Sequence, residues 1–267
     1  MPTVNDVSNY LSSIAPIEMK MDFDNVGFLV GRGAGDVSKI MVSLDITNDV
    51  ISEALEIGAN LIVSHHPLFF SLKRVTDADT TGERIIRLLS GGLSAICMHT
   101  NLDAARGGVN DELACAVGIA RAGEEAEFLF EDGQLPTGEA FSYGRFGCLP
   151  MPCAMPEYLE FLKKALNTNG LRYYDAGYDV YKVAIVGGSG ADKFDQAVRR
   201  GCDTFITADI KYNYFLEAKE KGINLIDADH FCTENVVMGV LADKLCTAFP
   251  DVEVAMAKRH IQTVKFY

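Results

Sequence analysis

A chain of 267 residues, 48% apolar and 23% charged, has room for one large core or two modest ones. Its 24 basic residues against 37 acidic ones give a formal charge of −13, which argues against non-specific binding to nucleic acid or to an anionic membrane. No apolar run reaches the length of a bilayer span, and Met1 to Pro16 has no basic start followed by an apolar block, so no secretory signal is expected. The seven cysteines are scattered and contain no C-x-x-C, a pattern that fits reduced thiols in a cytoplasmic protein.

The first helix is expected over Thr3 to Ile14, with Thr3 as cap and Val4, Val7, Tyr10, Leu11 and Ile14 on one face; Pro16 ends it. A polar turn at Asp22 to Asn25 leads into a short strand. Lys39 to Leu44 reads as a strand ending at Asp45, Asp49 to Ile57 as a helix, and Leu61 to Ser64 as a buried β-branched strand that runs into His65-His66-Pro67. Proline cannot donate to a ladder and forces its predecessor into extended geometry, so the strand stops there. A helix over Glu83 to Ser90 and a strand over Leu93 to Met98 follow, the latter ending in His99-Thr100-Asn101-Leu102-Asp103. Gly107-Gly108 breaks the chain before a helix over Asn110 to Val117.

Residues from about 123 to 153 change character, with acidic residues, glycines and prolines, and mark a crossing into a second lobe. Tyr158 to Leu166 is an amphipathic helix. Val183 to Val186 then reads as a strand ending in Gly187-Gly188-Ser189-Gly190, Lys193 to Arg200 as a helix, and Thr204 to Thr207 as a strand ending in Ala208-Asp209. A helix over Thr233 to Leu245 and an edge strand over Val252 to Met256 finish the chain.

The pattern repeats. Ile40 and Val183 lie 143 residues apart, as do Gly58 and Gly201, and strand, turn, helix, glycine and strand match without a gap. The expected fold is α/β: two related α/β lobes from an internal duplication, each a mostly parallel sheet flanked by helices. The expected boundaries put residues 1–126 with 229–267 in a first lobe carrying most metal ligands, and 127–228 in a second.

Functional groups in open parallel sheets sit beyond the carboxyl ends of the strands. Asp45, His65, His66, His99, Asp103, Asp209 and His230 all fall there. Neighbouring residues on a strand point to opposite faces, so His65 and His66 suit two metal ions better than one. His230 offers another nitrogen, and Asp103 and Glu234 offer oxygen; histidine with carboxylate suits Zn, Mn, Fe or Co, and a carboxylate can bridge. Singly, each has a structural alternative: a hydrogen-bonded strand-end histidine, a turn-capping Asp103, a helix-favouring Glu234. Jointly those alternatives weaken, since four of five histidines end predicted strands at one edge. Gly187 to Gly190 fits either a phosphate-wrapping loop or a plain strand-to-helix turn. Lys211 and Arg145 are anion contacts or solvated surface, and His260 has no assigned role.

The runs Asp24-Asn25-Val26-Gly27, Ser64-His65-His66-Pro67 and His99-Thr100-Asn101-Leu102-Asp103, together with His230 and Glu234, resemble the NIF3 family, which includes bacterial proteins labelled GTP cyclohydrolase I type 2. Gly107 to Asp111, Gly187 to Gly190 and Ile206 to Tyr212 extend the similarity over nearly the whole chain. The resemblance implies a dinuclear centre of two divalent ions (Zn, Fe or Mn) held by His65, His66, Asp103, His230 and Glu234, with Glu234 bridging. It also implies a ring-shaped homohexamer. Asn213 and Phe23 depart from the family's usual histidine and tryptophan and leave the substrate open. Paired cations that share and acidify a water would give a metal-dependent hydrolase acting on a small molecule such as a purine nucleotide. His99 or Asp45 would move a proton, or His99 would orient a ligand. The alternatives are a metal-binding regulatory protein without turnover and a phosphoesterase.

Overall fold

Thr3 opens the first helix with a reciprocal cap: its hydroxyl accepts from Asp6 N–H and the Asp6 carboxylate accepts from Thr3 N–H, which satisfies two end donors at once. The computed structural model describes residues 1–121 and 123–267. In chain order it contains α1 (Val4–Ile14), β1 (Gly27–Val30), β2 (Lys39–Ser43), α2 (Asn48–Glu56), β3 (Leu61–Ser64), α3 (Thr80–Ser90), β4 (Ser94–Cys97), α4 (Thr100–Ala104) and α5 (Val109–Ala116). Then come β5 (Glu127–Phe128), β6 (Gly133–Gln134), β7 (Ala140–Phe141), β8 (Arg145–Cys153), α6 (Met155–Ala165), β9 (Arg172–Tyr174), β10 (Val180–Ile185), α7 (Phe194–Arg199) and β11 (Thr204–Thr207). The chain ends with α8 (Tyr212–Lys221), β12 (Asn224–Asp227), α9 (His230–Glu234), α10 (Val236–Ala248) and β13 (Glu253–Met256).

Two compact units result. The first comprises Met1–Leu102 with Met238–Ile261, and the second Asp103–Val237 with Gln262–Tyr267. The first holds a five-stranded sheet in the order β1-β4-β3-β2-β13, all parallel except β1. Its β-branched strands are buried on both faces, as a helix-covered parallel sheet requires, and Met41, Ile62, Val50, Ile51, Ile85 and Leu88 form a core with them. The second holds a six-stranded sheet in the order β5-β8-β10-β11-β12-β9, with β10, β11 and β12 parallel. Its two faces carry separate cores, one around Leu113, Tyr158, Leu162 and Val183 and one around Phe194, Phe205 and Leu225.

Two strand pairings keep the same spacing. Ile40 pairs with Leu61 in the first unit and Val183 with Thr204 in the second, the same register at the same 143-residue offset. The unit boundaries fall elsewhere than composition suggests. Helix α5 packs its Leu113 and Ala114, with Val117 at its C-cap, into the core that holds Val183 and Ile206, and Cys232 joins the same core. Residues 103–126 and 229–237 therefore belong to the second unit, which takes Asp103, His230 and Glu234 with it. Burial of an apolar face decides membership, and the glycine-rich stretch near 123 does not.

The stretch from 123 to 153 is more than a crossing: it forms β5 to β8, with β8 antiparallel to β10. The predicted helix from Thr233 is split at Asn235 into α9 and α10. Helix α8 and strand β9, short and half-exposed, have too little periodicity to stand out. Among the described residues no helix is long and apolar enough to cross a membrane, and the cysteines form no disulfide.

Candidate metal centre

In the first unit β3 ends at Ser64, and the ladder continues only as His65 N–H to Ser43 O and His66 N–H to Leu44 O. Beyond that point the pleat no longer separates the two side chains. Their ring centroids lie 5.0 Å apart, and each is within 5.5 Å of the His99 ring. One ring nitrogen from each of His65, His66 and His99 falls within 4.8 Å of the others.

Each imidazole is oriented through Nδ1. His65, fully buried, has Nδ1 at 2.8 Å from the Met98 carbonyl oxygen. A carbonyl only accepts, so Nδ1 carries the proton and Nε2 carries the lone pair. His66 Nδ1 lies 2.8 Å from Asp45 Oδ1, and His99 Nδ1 lies 2.8 Å from Asp24 Oδ1. The other oxygen of Asp45 accepts from His260 Nε2 at 2.7 Å. Burial pushes the Asp45 carboxyl up, but the bonds from His260 and His66 outweigh it and hold it below the usual carboxylate range. Asp24 behaves alike: burial raises it, while His99 and the Thr100 hydroxyl and N–H bring it down to about 2.

The second unit builds its donors on α4 and α9. Asp229, at φ 73°, caps α9 by accepting Cys232 N–H at 3.1 Å. Asp209, at φ 53°, accepts from His230 Nδ1 at 2.7 Å. Two of the three non-glycine residues with positive φ among those described thus flank the His230 site, where strained backbone tends to collect. His230 Nε2 stands 3.1 Å from Glu234 Oε2, one helical turn on, and a carboxylate oxygen of Asp103 lies within 4.8 Å of one of Glu234. Burial lowers the His230 imidazole, but Glu234 and then Asp209 outweigh it and raise it to about 9. Surroundings that hold a proton so firmly favour a cation in general.

Gly188 completes this wall. At φ +60°, a Cβ there would stand 2.1 Å from Glu234 Oε1 and 3.2 Å from His230 Nε2, so only glycine lets the backbone close on the carboxylate. The N–H groups of Gly187, Gly188 and Gly190 bond Asn110 Oδ1, Thr233 Oγ1 and Thr207 Oγ1. The run is therefore the strand-to-helix turn, its donors engaged within the fold. Arg145 is neither an anion contact nor solvated: it is fully buried, paired with Asp111 and bonded to Ser142 O at 2.7 Å. Lys211 is exposed and precedes α8.

His65, His66 and His99 form one group of donors that could hold a divalent ion, Asp103, His230 and Glu234 each belong to such a group as well, and the donor chemistry fits Zn, Fe or Mn. Imidazoles tethered at Nδ1 to a carbonyl or carboxylate oxygen are the usual arrangement at protein metal sites. Of the tethering residues, Asp209 shows in the sequence only as a strand-end group with no role attached, and His260, in a basic stretch, carries no signal of its own.

The family model described as Duf34/NIF3 (NGG1p interacting factor 3) matches residues 2–263. The chain belongs to the Duf34/NIF3 family. A Clostridium perfringens relative named GTP cyclohydrolase 1 type 2 homolog is 35% identical over 258 residues, covering 96% of each chain. A Clostridium acetobutylicum protein of the same name is 36% identical over 244 residues, covering 91% of this chain and 89% of its own. Two solved structures share the fold. A Bacillus cereus protein related to NIF3 superposes with a TM-score of 0.90 at 22% identity, covering 100% of this chain and 99% of that one. A hypothetical protein of Staphylococcus aureus gives 0.91 at 26% identity, covering 99% of both. The α/β architecture of this NIF3-family chain, with sheets flanked by helices, is thus the family's own.

Proposed function

We propose that this NIF3-family chain is a metal-dependent hydrolase for which His65, His66, Asp103, His230 and Glu234 would supply the ligands of two divalent ions. The observation that carries the reading is the common tether: His65, His66 and His230 each have Nδ1 on an oxygen acceptor, so each presents Nε2. When bound, paired divalent ions supply Lewis acidity and lower the pKa of a coordinated water. The protein's own part is to hold those nitrogens in one orientation. Asp24 fixes the neighbouring His99 in the same way, which supports the reading of His99 as the group that takes or returns a proton; Asp45, with one imidazole on each oxygen, serves orientation.

The name shared by the Clostridium relatives makes GTP the first substrate to test and a purine nucleotide the substrate class. The working form is a cytoplasmic ring-shaped homohexamer. The test is turnover of GTP and a panel of phosphoesters by metal-loaded wild type, His66→Ala and Glu234→Ala. Ring opening of GTP lost in both variants supports the cyclohydrolase reading; phosphate release alone turns it into a phosphoesterase. The family description names an interacting factor, which favours a second reading, a metal-holding protein that binds other proteins. Full metal loading with no turnover of any substrate decides for it.

A further inference from the structure

Residues 258–262 are held at several points along the backbone and side chains. Glu53 on α2, itself 8% exposed, accepts the backbone N–H of Lys258 at 3.0 and 3.1 Å and of Arg259 at 2.9 Å. The Arg259 guanidinium grips the Glu56 carboxylate one turn-side neighbour away, Nη1 to Oε1 at 2.9 Å. A buried carboxylate spent on two consecutive main-chain donors fixes the course of the backbone, and a bidentate guanidinium fixes it further.

The residue delivered by this clasp is His260. Its Nε2 donates to Asp45 Oδ2 at 2.7 Å, and Asp45 Oδ1 accepts from His66 Nδ1 at 2.8 Å. The His260 side chain is only 11% exposed. Asp45 sits in the turn after β2 and has a rotatable side chain, so one bond to His66 leaves the carboxylate free to swing; a second, on its other oxygen, does not. Two residues on, Gln262 Nε2 donates to Asp229 Oδ1, the same oxygen that caps α9, the helix bearing His230 and Glu234.

We propose that His260 is a positioning residue for the metal centre: it locks the Asp45 carboxylate that fixes the His66 ring, and the segment 258–262 is the strap that puts it there. This rests on the metal reading of His66 given above. Partners that orient a ligand imidazole are commonly worth 10–100-fold in metal affinity.

The experiment compares wild type, His260→Ala and His260→Gln as full-length proteins. Zn²⁺ affinity is measured by competition with a chelator, and the metal-free proteins are followed by thermal unfolding and by the ¹⁵N-resolved Nδ1–H signal of His66. We expect His260→Ala to bind Zn²⁺ about 10–100-fold more weakly and to lose or broaden the His66 signal, with its metal-free midpoint within about 3 °C of wild type. His260→Gln, whose amide can still donate to Asp45, restores most of both. Affinity within about twofold of wild type in His260→Ala, with the His66 signal intact, overturns the proposal. So does loss of affinity with no rescue by glutamine and an equal loss of metal-free stability. Should wild type take up no Zn²⁺, Mn²⁺ or Fe²⁺, the metal reading falls by itself, and the His66 signal alone then decides whether His260 orients this chain of groups.

Discussion

Asp24 and His99 lie 75 residues apart in the chain and are joined by a 2.8 Å hydrogen bond from Nδ1 to Oδ1. Asp24 belongs to the polar turn before β1, His99 to the end of β4, and Asn25 Nδ2 donates to Phe69 O at 2.9 Å from the same turn. The motif Asp24-Asn25 thus serves as a clamp on the loops that carry His66 and His99.

That bond makes a pH prediction. Burial would raise the Asp24 carboxyl, but His99 and Thr100 bring it down to about 2 from 3.8. A carboxyl depressed on folding adds stability above its unfolded pKa, and that contribution fades as pH falls through the folded value. Wild type should exceed Asp24→Asn by about 2 kcal/mol at pH 6, and most of the gap should close between pH 4 and pH 2. Urea unfolding across that range reads it. Two curves that stay parallel down to pH 2 would assign the acid sensitivity to other carboxylates.

Arg145 and Asp111 make a second, independent prediction. The guanidinium has 0% exposed side-chain surface and Asp111 has 8%; burial pulls Arg145 below its ordinary range while Asp111 pushes back. Asp111→Ala strands a charge in the second unit's core and should cost about 3–5 kcal/mol. Replacing both residues with apolar ones of similar volume should recover much of it. Denaturant midpoints of the single and double variants separate these outcomes, and a single variant as stable as wild type would contradict the buried pair.

Gly188 can be tested against a second glycine. An added methyl at Gly188 meets Glu234 Oε1 at 2.1 Å, whereas one at Gly239 meets nothing within 4 Å. Gly188→Ala should lose about 1–2 kcal/mol from its φ alone and should also displace the carboxylate, lowering bound metal. Gly239→Ala, inside α10, should gain about 0.5–1 kcal/mol and leave metal content unchanged. Equal behaviour of the two variants would remove the cradle from the account.

Metal removal is the fourth measurement. A ligand present at 100 times its dissociation constant stabilises the folded state by about 2.7 kcal/mol, so chelation should lower the unfolding midpoint by several degrees. His65→Ala and Glu234→Ala should show a much smaller difference between loaded and stripped protein, and mass spectrometry should find two ions per wild-type chain. A midpoint indifferent to chelator in wild type would speak against metal ligation by these residues.

Much of this was legible in the residues themselves. The strand register at the 143-residue offset followed from β-branched runs and glycine punctuation, because alternation and turn chemistry act locally. His65, His66 and His99 were placed at strand ends for the same reason. The unit boundary was not legible, since it depends on which core α5 enters, a long-range choice. Nor were the roles of Arg145 and Asp209: a buried arginine looks like any other arginine until its carboxylate is found 34 residues away. His260 reaches Asp45 from 215 residues downstream, a distance no periodicity can span.

The tethers of the imidazoles differ in kind. His66 and His230 lean on carboxylates, while His65 leans on the Met98 main-chain oxygen. A negatively charged neighbour makes an imidazole a richer electron donor than an amide does, so the nitrogens on offer are not electronically equal. Nor are they equally mutable: selection can weaken or exchange an aspartate, but the peptide group holding His65 persists under every substitution at position 98.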